Sequence, residues 1–293
     1  MTIDKVERAL TELDTAAIKV IVFDLDGTLY EDTEHFDYYA SCLAEELEEE
    51  KREDFFHDLA ASRVGEHVLR LGRVYDVEND NILEITPLGE IKKAWNWQEE
   101  PLSESTISEL YPAKINCNMT DMLYLGDGWW PPAACAFHYG VESTERCYQK
   151  TKEWLAANDD FLTPRPELNS ALTALKRDYT LILATNSDAA DAKRILNLLQ
   201  LDSFFTETHT SCDKPAQSRQ LFTKIIARNN IIAEELLTVG DNFLNDIAPA
   251  RMLGCQSILL DPFNSFAAEQ DTGPILNNLS ELSELLNRWI EQV

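Results

Sequence analysis

The stretch VIVFDLDGTLY, from Val20 to Tyr30, decides the fold of this chain. Its first four residues are apolar and mostly β-branched, which predicts a strand buried on both faces, as in a parallel sheet. The strand runs into Asp24 and Asp26, which are separated by one residue. Residues two apart in an extended chain point the same way, so both carboxylates can face one pocket. Their repulsion then requires a cation between them or a proton on one of them.

Further strands and helices alternate after Pro164. The predicted strands are YTLILAT (179–185), ELLTVG (235–240) and CQSILL (255–260), and helical patterns fill the segments around them. Alternating strands and helices predict an α/β fold with a doubly wound, Rossmann-like parallel sheet that is covered on both faces.

Polar residues follow each of these strands. Thr185 and Asn186 end the second predicted strand, Asp241 follows the third, and Asp246 comes five residues later. In an open parallel sheet the ligand site lies at the carboxyl ends of the strands, so we expect these side chains to converge on Asp24 and Asp26. A cluster of carboxylate and carbonyl oxygens suits Mg²⁺, which often bridges to a substrate phosphate. The sequence therefore predicts a magnesium site.

Four motifs in this order resemble those of the haloacid dehalogenase (HAD) superfamily of phosphohydrolases. They are DLDGT (24–28), ATNS (184–187), DKP (213–215) and GDNFLND (240–246), and the resemblance extends over residues 18–29 and 164–261. One such motif is weak evidence, whereas four at the ends of predicted elements are specific.

The resemblance implies a role for each acid of the first motif. Asp24 would be the nucleophile that attacks phosphorus and forms an aspartyl-phosphate. Asp26 would protonate the leaving oxygen and later activate the hydrolytic water. Members that cleave carbon–halogen bonds lack the second aspartate and the metal, so Asp26 favours phosphoryl chemistry.

The remaining motif residues would bind phosphate or metal. Thr185 would hydrogen-bond a phosphoryl oxygen, and Lys214 would supply a fixed positive charge. Asp241 would bind the metal together with the Asp24 carboxylate and the Asp26 backbone carbonyl, and Asp246 would hold Lys214 or a metal-bound water. The predicted catalytic residues are Asp24, Asp26, Thr185 and Lys214; the predicted phosphate-binding residues are Gly27, Thr28, Thr185, Asn186 and Lys214; and the predicted metal-binding residues are Asp24, Asp26, Asp241 and Asp246.

The chain divides, on this interpretation, into two domains. Residues 1–30 and 162–293 would form the catalytic core, and residues 31–161 a mainly helical, enlarged cap inserted after the first strand. In this superfamily an insertion at that point closes over the site and selects the substrate, and its helical flanks resemble a cap of the first type (C1). Proline, glycine and tryptophan interrupt the pattern over about 72–140, which predicts an irregular or partly β insertion.

Aromatic residues near the first motif and in this insertion allow two interpretations. Trp129, Trp130 and His138 would either line the cap side of the site or belong to a buried core or interface. Tyr30 and His35 are closer to the first motif and are better placed to face a substrate. The stretch LYLGDGWWPP (123–132) imitates the fourth motif but precedes the second one, so we expect no catalytic role for Asp127.

The charge of the chain limits its partners. The 293 residues carry 25 basic and 52 acidic side chains, a formal net charge of −27, which argues against binding to nucleic acid or an anionic membrane. The acidic start lacks the features of a signal peptide and no run approaches the ~20 apolar residues of a membrane span, so a cytoplasmic location is expected. The six cysteines show no metal-binding spacing, which predicts reduced thiols.

Together these features predict a Mg²⁺-dependent phosphatase that acts on a small phosphorylated metabolite through an aspartyl-phosphate at Asp24. Two alternatives stay open. A phosphomutase would share the core residues and differ in the cap, and a non-catalytic module would use the acidic cap to recruit a partner. Neither the substrate nor the oligomeric state follows from the sequence.

Overall fold

The computed structural model describes residues 4–31, 34–117, 120–158, 162–262 and 272–292. Two compact units are formed, one from residues 4–31, 162–262 and 272–292, and the other from residues 34–117 and 120–158. We call them the core unit and the inserted unit. Residue 161, at which the predicted cap ends, lies outside the described residues, and the assignment of the units to a catalytic core and a cap stays a prediction.

The regular elements are the following. The strands are β1 (Val20–Phe23), β2 (Val74–Asp76), β3 (Asn81–Ile85), β4 (Ile91–Asn96), β5 (Met122–Tyr124), β6 (Thr180–Ala184), β7 (Glu207–His209), β8 (Leu236–Gly240), β9 (Gln256–Leu260) and β10 (Ile275–Leu276). The helices are α1 (Lys5–Thr11), α2 (Glu34–Glu45), α3 (Arg52–Val64), α4 (Glu104–Leu110), α5 (Trp130–His138), α6 (Glu145–Ala157), α7 (Pro166–Leu175), α8 (Ala189–Leu198), α9 (Ser218–Asn229), α10 (Ala248–Arg251) and α11 (Leu279–Glu291). Short 3₁₀ helices cover Glu49–Lys51 and Ala233–Glu235, and a π-helical turn covers Phe243–Ile247.

The core unit is built on a six-stranded sheet in the order β10-β9-β8-β1-β6-β7. Each neighbouring pair is parallel, and β1 pairs with β6 on one side and β8 on the other. The strand order reverses at β1, which is the arrangement that places a ligand site at the carboxyl ends of the central strands. The predicted α/β fold is confirmed.

Strand β1 shows why its sequence is apolar throughout. Ile21 and Phe23 contribute to one buried cluster and Val20 and Val22 to another on the opposite face of the sheet. All four residues are buried because helices cover both faces. Strand β1 therefore ends among buried residues, and Asp24, which follows it directly, is buried as well.

The inserted unit is mainly helical and contains a second sheet. Strands β4-β3-β2-β5 form an antiparallel sheet within the segment 72–140 that was predicted to be irregular or partly β. Helices α2, α3 and α5 and this sheet share one hydrophobic cluster, which includes Leu43, Phe55, Tyr75 and Trp97. The insertion is thus ordered around its own core.

The six cysteines are all free thiols. Within the described ranges, none of the helices is long and apolar enough to cross a membrane.

Candidate active site

The loop after β1 brings Asp24 and Asp26 to the edge of the sheet. The Asp24 backbone N–H still donates to Val239 O at 2.9 Å, so the acid sits at the end of the strand ladder. Leu25 between the two acids is fully buried, which anchors the loop. The chain then makes one helical turn, in which Leu29 N donates to Leu25 O at 2.9 Å. Asp24 itself is only 8% exposed.

Lys214 neutralises the buried end of this site. Its ammonium donates to Asp24 Oδ1 at 2.7 Å, to Asp246 Oδ1 at 2.6 Å and to Ala184 O at 2.9 Å. The lysine is 7% exposed, so all three of its protons are used inside the protein. One cation thus joins two carboxylates and the carbonyl end of β6.

Asn186 holds the backbone of Lys214 in place. Its side-chain oxygen accepts from Lys214 N at 2.8 Å, and its side-chain nitrogen donates to Lys214 O at 2.9 Å. Both ends of the amide are therefore engaged by one residue. Asn186 was predicted to bind phosphate, and this pairing leaves its backbone N–H as the group that would do so.

Three hydroxyl groups surround the Asp26 carboxylate. Tyr30 donates to Oδ1 at 2.5 Å, while Ser187 donates to Oδ2 at 2.9 Å and Thr185 to the same oxygen at 3.3 Å. Burial and the neighbouring Asp26 raise the pKa of Tyr30, so its hydroxyl keeps the proton that it donates. Ser187 was not predicted as a site residue; its position two residues beyond Thr185 on the same loop was the available signal.

Three carboxylates form a cluster next to Lys214. One oxygen each from Asp24, Asp241 and Asp246 lies within 4.8 Å of the others. Asp246 is 4% exposed, and its Oδ2 has no hydrogen-bond partner among the described residues. The Asp26 side chain is not part of this cluster, so its predicted contribution to a metal site rests on its backbone carbonyl.

Two glycines allow the acids to approach this closely. A Cβ atom on Gly27 would lie 2.2 Å from Asp241 Oδ2, and one on Gly240 would lie 2.5 Å from Asp246 Cβ. Gly27 also has φ of +74°, which disfavours any other residue. The glycine of the DLDGT motif therefore serves the packing of Asp241 as well as the turn.

The other predicted phosphate-binding residue, Thr28, is fully buried. Its Oγ1 has no hydrogen-bond partner in the described part of the chain. Thr28 lies within the helical turn that the hydrogen bond from Leu29 N to Leu25 O closes.

Burial governs the protonation of the acids. Burial raises the pKa of Asp24 to about 7, against the opposing effect of Lys214. Burial likewise raises the pKa of Asp246, and Lys214 again opposes it. For Lys214 burial would lower the pKa, but the two carboxylates outweigh it and raise the pKa above its usual value. The ammonium therefore keeps its charge, and further positive charge beside the two acids would favour their ionised forms.

Trp129 and Trp130 pack against the hydrophobic cluster of the inserted unit. Trp129 is partly buried and its ring centroid lies 5.1 Å from that of His35, which is itself buried. His138 stacks on Trp97 at 3.8 Å and contacts Asp80 through Nδ1 at 2.8 Å. Asp127 follows β5 of the antiparallel sheet, in the inserted unit.

The fold and the site agree with a known family. Residues 133–260 match the family described as haloacid dehalogenase-like hydrolase. The match covers the second, third and fourth motifs, and the first motif lies outside it. The matched region is therefore similar to haloacid dehalogenase-like hydrolases, in agreement with the parallel-sheet fold.

Solved structures of other proteins are similar to this chain. The HAD-hydrolase YfnB from Bacillus subtilis, bound to magnesium, is 16% identical with a TM-score of 0.51, over 92% of this chain and 99% of that chain. A predicted phosphoglycolate phosphatase from Haemophilus somnus is 17% identical with a TM-score of 0.49, over 92% and 98%. A 2-haloacid dehalogenase from Pseudomonas syringae is 21% identical with a TM-score of 0.41, over 93% and 99%. The likeness to the last two is too loose to carry an argument. No curated protein matches the sequence.

Proposed function

We propose that the chain is a Mg²⁺-dependent phosphatase that hydrolyses a phosphomonoester of a small metabolite through an aspartyl-phosphate at Asp24. The observation that carries the proposal is the second aspartate. Asp26 lies two residues beyond the Lys214-bound Asp24, and hydroxyl groups hold both of its oxygens. Attack by a carboxylate on carbon, with loss of halide, needs no proton donor at this position, whereas loss of an alkoxide from phosphorus does.

The acidic cluster fits the metal that the family uses. Asp24, Asp241 and Asp246 supply hard oxygen donors from three separate segments, and the unpartnered Oδ2 of Asp246 is an acceptor that a cation or its bound water would satisfy. Three acids face one lysine here, so a divalent cation would also balance the local charge. Bound Mg²⁺ would supply the positive charge that attracts a phosphate to this acidic chain and stabilises its oxygens.

The first half of the proposed reaction uses Asp24 and Asp26. A carboxylate oxygen of Asp24 attacks phosphorus, and the bond from phosphorus to the ester oxygen breaks. Asp26 gives its proton to that oxygen, so the alcohol leaves neutral. Lys214 remains beside the Asp24 carboxylate and balances charge on the transferred group, while the Thr185 hydroxyl turns to a phosphoryl oxygen.

The second half regenerates the enzyme. Asp26, now ionised, takes a proton from a water molecule as the water attacks the same phosphorus. The bond between phosphorus and the Asp24 oxygen breaks, and inorganic phosphate leaves. Asp26 ends protonated and Asp24 ionised, as at the start.

The inserted unit would act as the cap that selects the substrate, a role that we assign by analogy with the superfamily. A net charge of −27 supports a small-molecule partner over nucleic acid or an anionic membrane. Six free thiols support a reducing compartment, and we place the enzyme in the cytoplasm.

The test is phosphate release from a panel of sugar phosphates, nucleotides and an aryl phosphate, with Mg²⁺ or with chelator. We expect release that needs the metal and is lost in Asp24→Asn. Asp178→Asn is the matched control, because Asp178 is an exposed acid of the same unit. Chloride release from a 2-chloroalkanoate without phosphate release would contradict the proposal. Transfer of the phosphoryl group to a second sugar phosphate, with none to water, would support the mutase instead.

A further inference from the structure

The two oxygens of Asp26 are not equivalent. Oδ2 accepts two hydrogen bonds, from Ser187 at 2.9 Å and Thr185 at 3.3 Å, whereas Oδ1 accepts one, from Tyr30 at 2.5 Å. Each carboxylate oxygen has about two lone-pair positions. Three of the four positions are therefore taken, and the remaining one belongs to Oδ1.

The chain brings Tyr30 to Oδ1 by a local route. After β1, Leu29 N bonds back to Leu25 O, which closes one helical turn and returns the backbone of Tyr30 beside that of Asp26 in a bridge. The Tyr30 ring packs against the core cluster of the unit. Packing of the ring thus holds the Tyr30 hydroxyl in place, and Asp26, to which this hydroxyl donates, is partly exposed.

We infer that Asp26 transfers its proton through Oδ1 and that Tyr30 is the positioning residue that aims this oxygen at the leaving group and at water. The inference rests on the proposed function, because it assigns a task within that reaction. Ser187 and Thr185 hold the opposite oxygen and fix the plane of the carboxylate. Tyr30 sets the direction of the one lone pair that is left.

The experiment separates proton delivery from general damage to the site. An alkyl phosphate needs a proton on its leaving oxygen, whereas 4-nitrophenyl phosphate releases a stable phenolate without one. The alcohol or phenol released in a single turnover is measured by rapid quench for the parent, Tyr30→Phe and Ser187→Ala. Tyr179→Phe is the control, since this variant also loses a hydrogen bond, the one with Trp289 at 3.1 Å. Tyr179 lies directly before β6, at the amino end of that strand, whereas Thr185 follows its carboxyl end.

We expect Tyr30→Phe to slow release from the alkyl ester by about 10-fold or more, a part of the roughly 100- to 10,000-fold that a positioned acid contributes, and release from the aryl ester by less than about 2-fold. Tyr179→Phe should leave both rates unchanged. Equal losses for the two esters in Tyr30→Phe would overturn the inference, since that is the pattern of a structural role.

Ser187→Ala provides a second, independent comparison. It removes one of the two donors to Oδ2 and leaves Thr185 on Oδ2 and Tyr30 on Oδ1 to hold the carboxylate, so we expect both esters to change by the same factor. A selective loss with the alkyl ester in Ser187→Ala would assign proton transfer to Oδ2 and overturn the inference, even if Tyr30→Phe failed to fold. A parent that released product from neither ester would instead refute the proposed function, which keeps the two failures distinct.

Discussion

Lys214 and Asp24 are 190 positions apart in the sequence, and their charged atoms lie 2.7 Å apart in a site where both side chains are less than a tenth exposed. The same ammonium also bonds Asp246 at 2.6 Å. A buried pair of this kind is costly to break, because removal of one partner leaves the other charge without compensation. The ion pair is therefore a structural element of the core unit as well as part of the proposed catalytic site.

Replacement of Lys214 by methionine, which keeps most of the side-chain volume, should strongly destabilise the protein. We expect the free energy of unfolding in chelator to fall by about 3–5 kcal/mol, because Asp24 and Asp246 lose their counter-ion. Urea unfolding followed by circular dichroism measures this change.

Lys19→Met is the control for that variant. Lys19 also pairs with an acid, Glu235 at 2.5 Å, but its side chain is 60% exposed, so its loss should cost less than about 1 kcal/mol. Similar losses of unfolding free energy in the two variants would show that burial does not strengthen the ion pairs of Lys214.

Magnesium should stabilise the folded protein through the three-acid cluster. A ligand that binds only the folded state at 100 times its Kd adds about 2.7 kcal/mol to the free energy of unfolding. We expect such a gain for the parent and for Asp178→Asn and a much smaller one for Asp241→Asn, which loses a cluster carboxylate. An undiminished gain in Asp241→Asn would place the ion elsewhere. The readout is thermal unfolding as Mg²⁺ is titrated, and it needs no substrate.

Alanine at Gly27 should disrupt the same cluster. The added Cβ would lie 2.2 Å from Asp241 Oδ2, so Asp241 must move, and φ of +74° adds about 1–2 kcal/mol of backbone cost. Gly65→Ala is a close match, because Gly65 has φ of +76° and nothing within 4 Å of an added Cβ. We expect Gly65→Ala to show the backbone cost alone and to leave magnesium binding in the core unit intact. Equal destabilisation by the two variants, with magnesium binding retained in both, would argue against the contact with Asp241.

Asp58 should make the inserted unit sensitive to acid. It accepts hydrogen bonds from Trp97 Nε1 at 2.8 Å and Tyr139 OH at 2.7 Å. Burial would raise the pKa of Asp58, but these hydrogen bonds outweigh it and lower the pKa below its usual value. A lowered pKa means that the contribution of Asp58 to stability is complete above the unfolded-state value of about 3.9 and is lost as the pH falls through the folded-state value.

The parent and Asp58→Asn should differ in how much stability each loses as the pH falls. From about pH 5 down to about pH 3, the parent should lose more stability than Asp58→Asn, which has no carboxylate to protonate. Tryptophan fluorescence during urea unfolding reports on it, since Trp97 lies beside Asp58. A steeper loss in Asp58→Asn than in the parent would contradict the assignment.

The sequence predicted the core sheet because local and global signals agree there. Strand β1 is apolar on both faces and ends in paired acids, and β6, β8 and β9 repeat the pattern of a buried strand followed by polar residues. Strand β7 (Glu207–His209) lies at the sheet edge and is only three residues long, so it carries no such pattern. Strand β10 and helix α11 also lie beyond the predicted alternation.

The individual strands of the inserted unit were not predicted, for a different reason. In β2 all three residues, Val74 to Asp76, are buried, so apolar and polar residues do not alternate. Asp76 is tolerated inside because Tyr111 and the backbone N–H groups of Glu78 and Asn79 bond its carboxylate. In the sequence alone, an acid within a short segment indicates a loop, because its hydrogen-bond partners are not apparent. One of these partners, Tyr111, lies 35 residues away.

The candidate site was predictable as a set of residues but not as a network. The motif order identified Asp24, Lys214 and Asp241, whereas the contacts of Asp26 with Tyr30 and Ser187 depend on side-chain directions in two loops. Asn186 likewise turned out to bond the Lys214 backbone through its side chain. Such contacts follow from the path of the chain after each strand, which composition and periodicity do not specify.

The central claim is that Asp24 carries the phosphoryl group during turnover, and locating that group tests it most directly. The protein is mixed with its best phosphomonoester and Mg²⁺, quenched during turnover, treated with hydroxylamine and digested for mass spectrometry. Hydroxylamine converts an aspartyl-phosphate to a hydroxamate, and the account predicts that modification at Asp24 alone and none in Asp24→Asn. Phosphate release by a parent protein that carries no modification at Asp24, or carries it on another residue, would contradict the account.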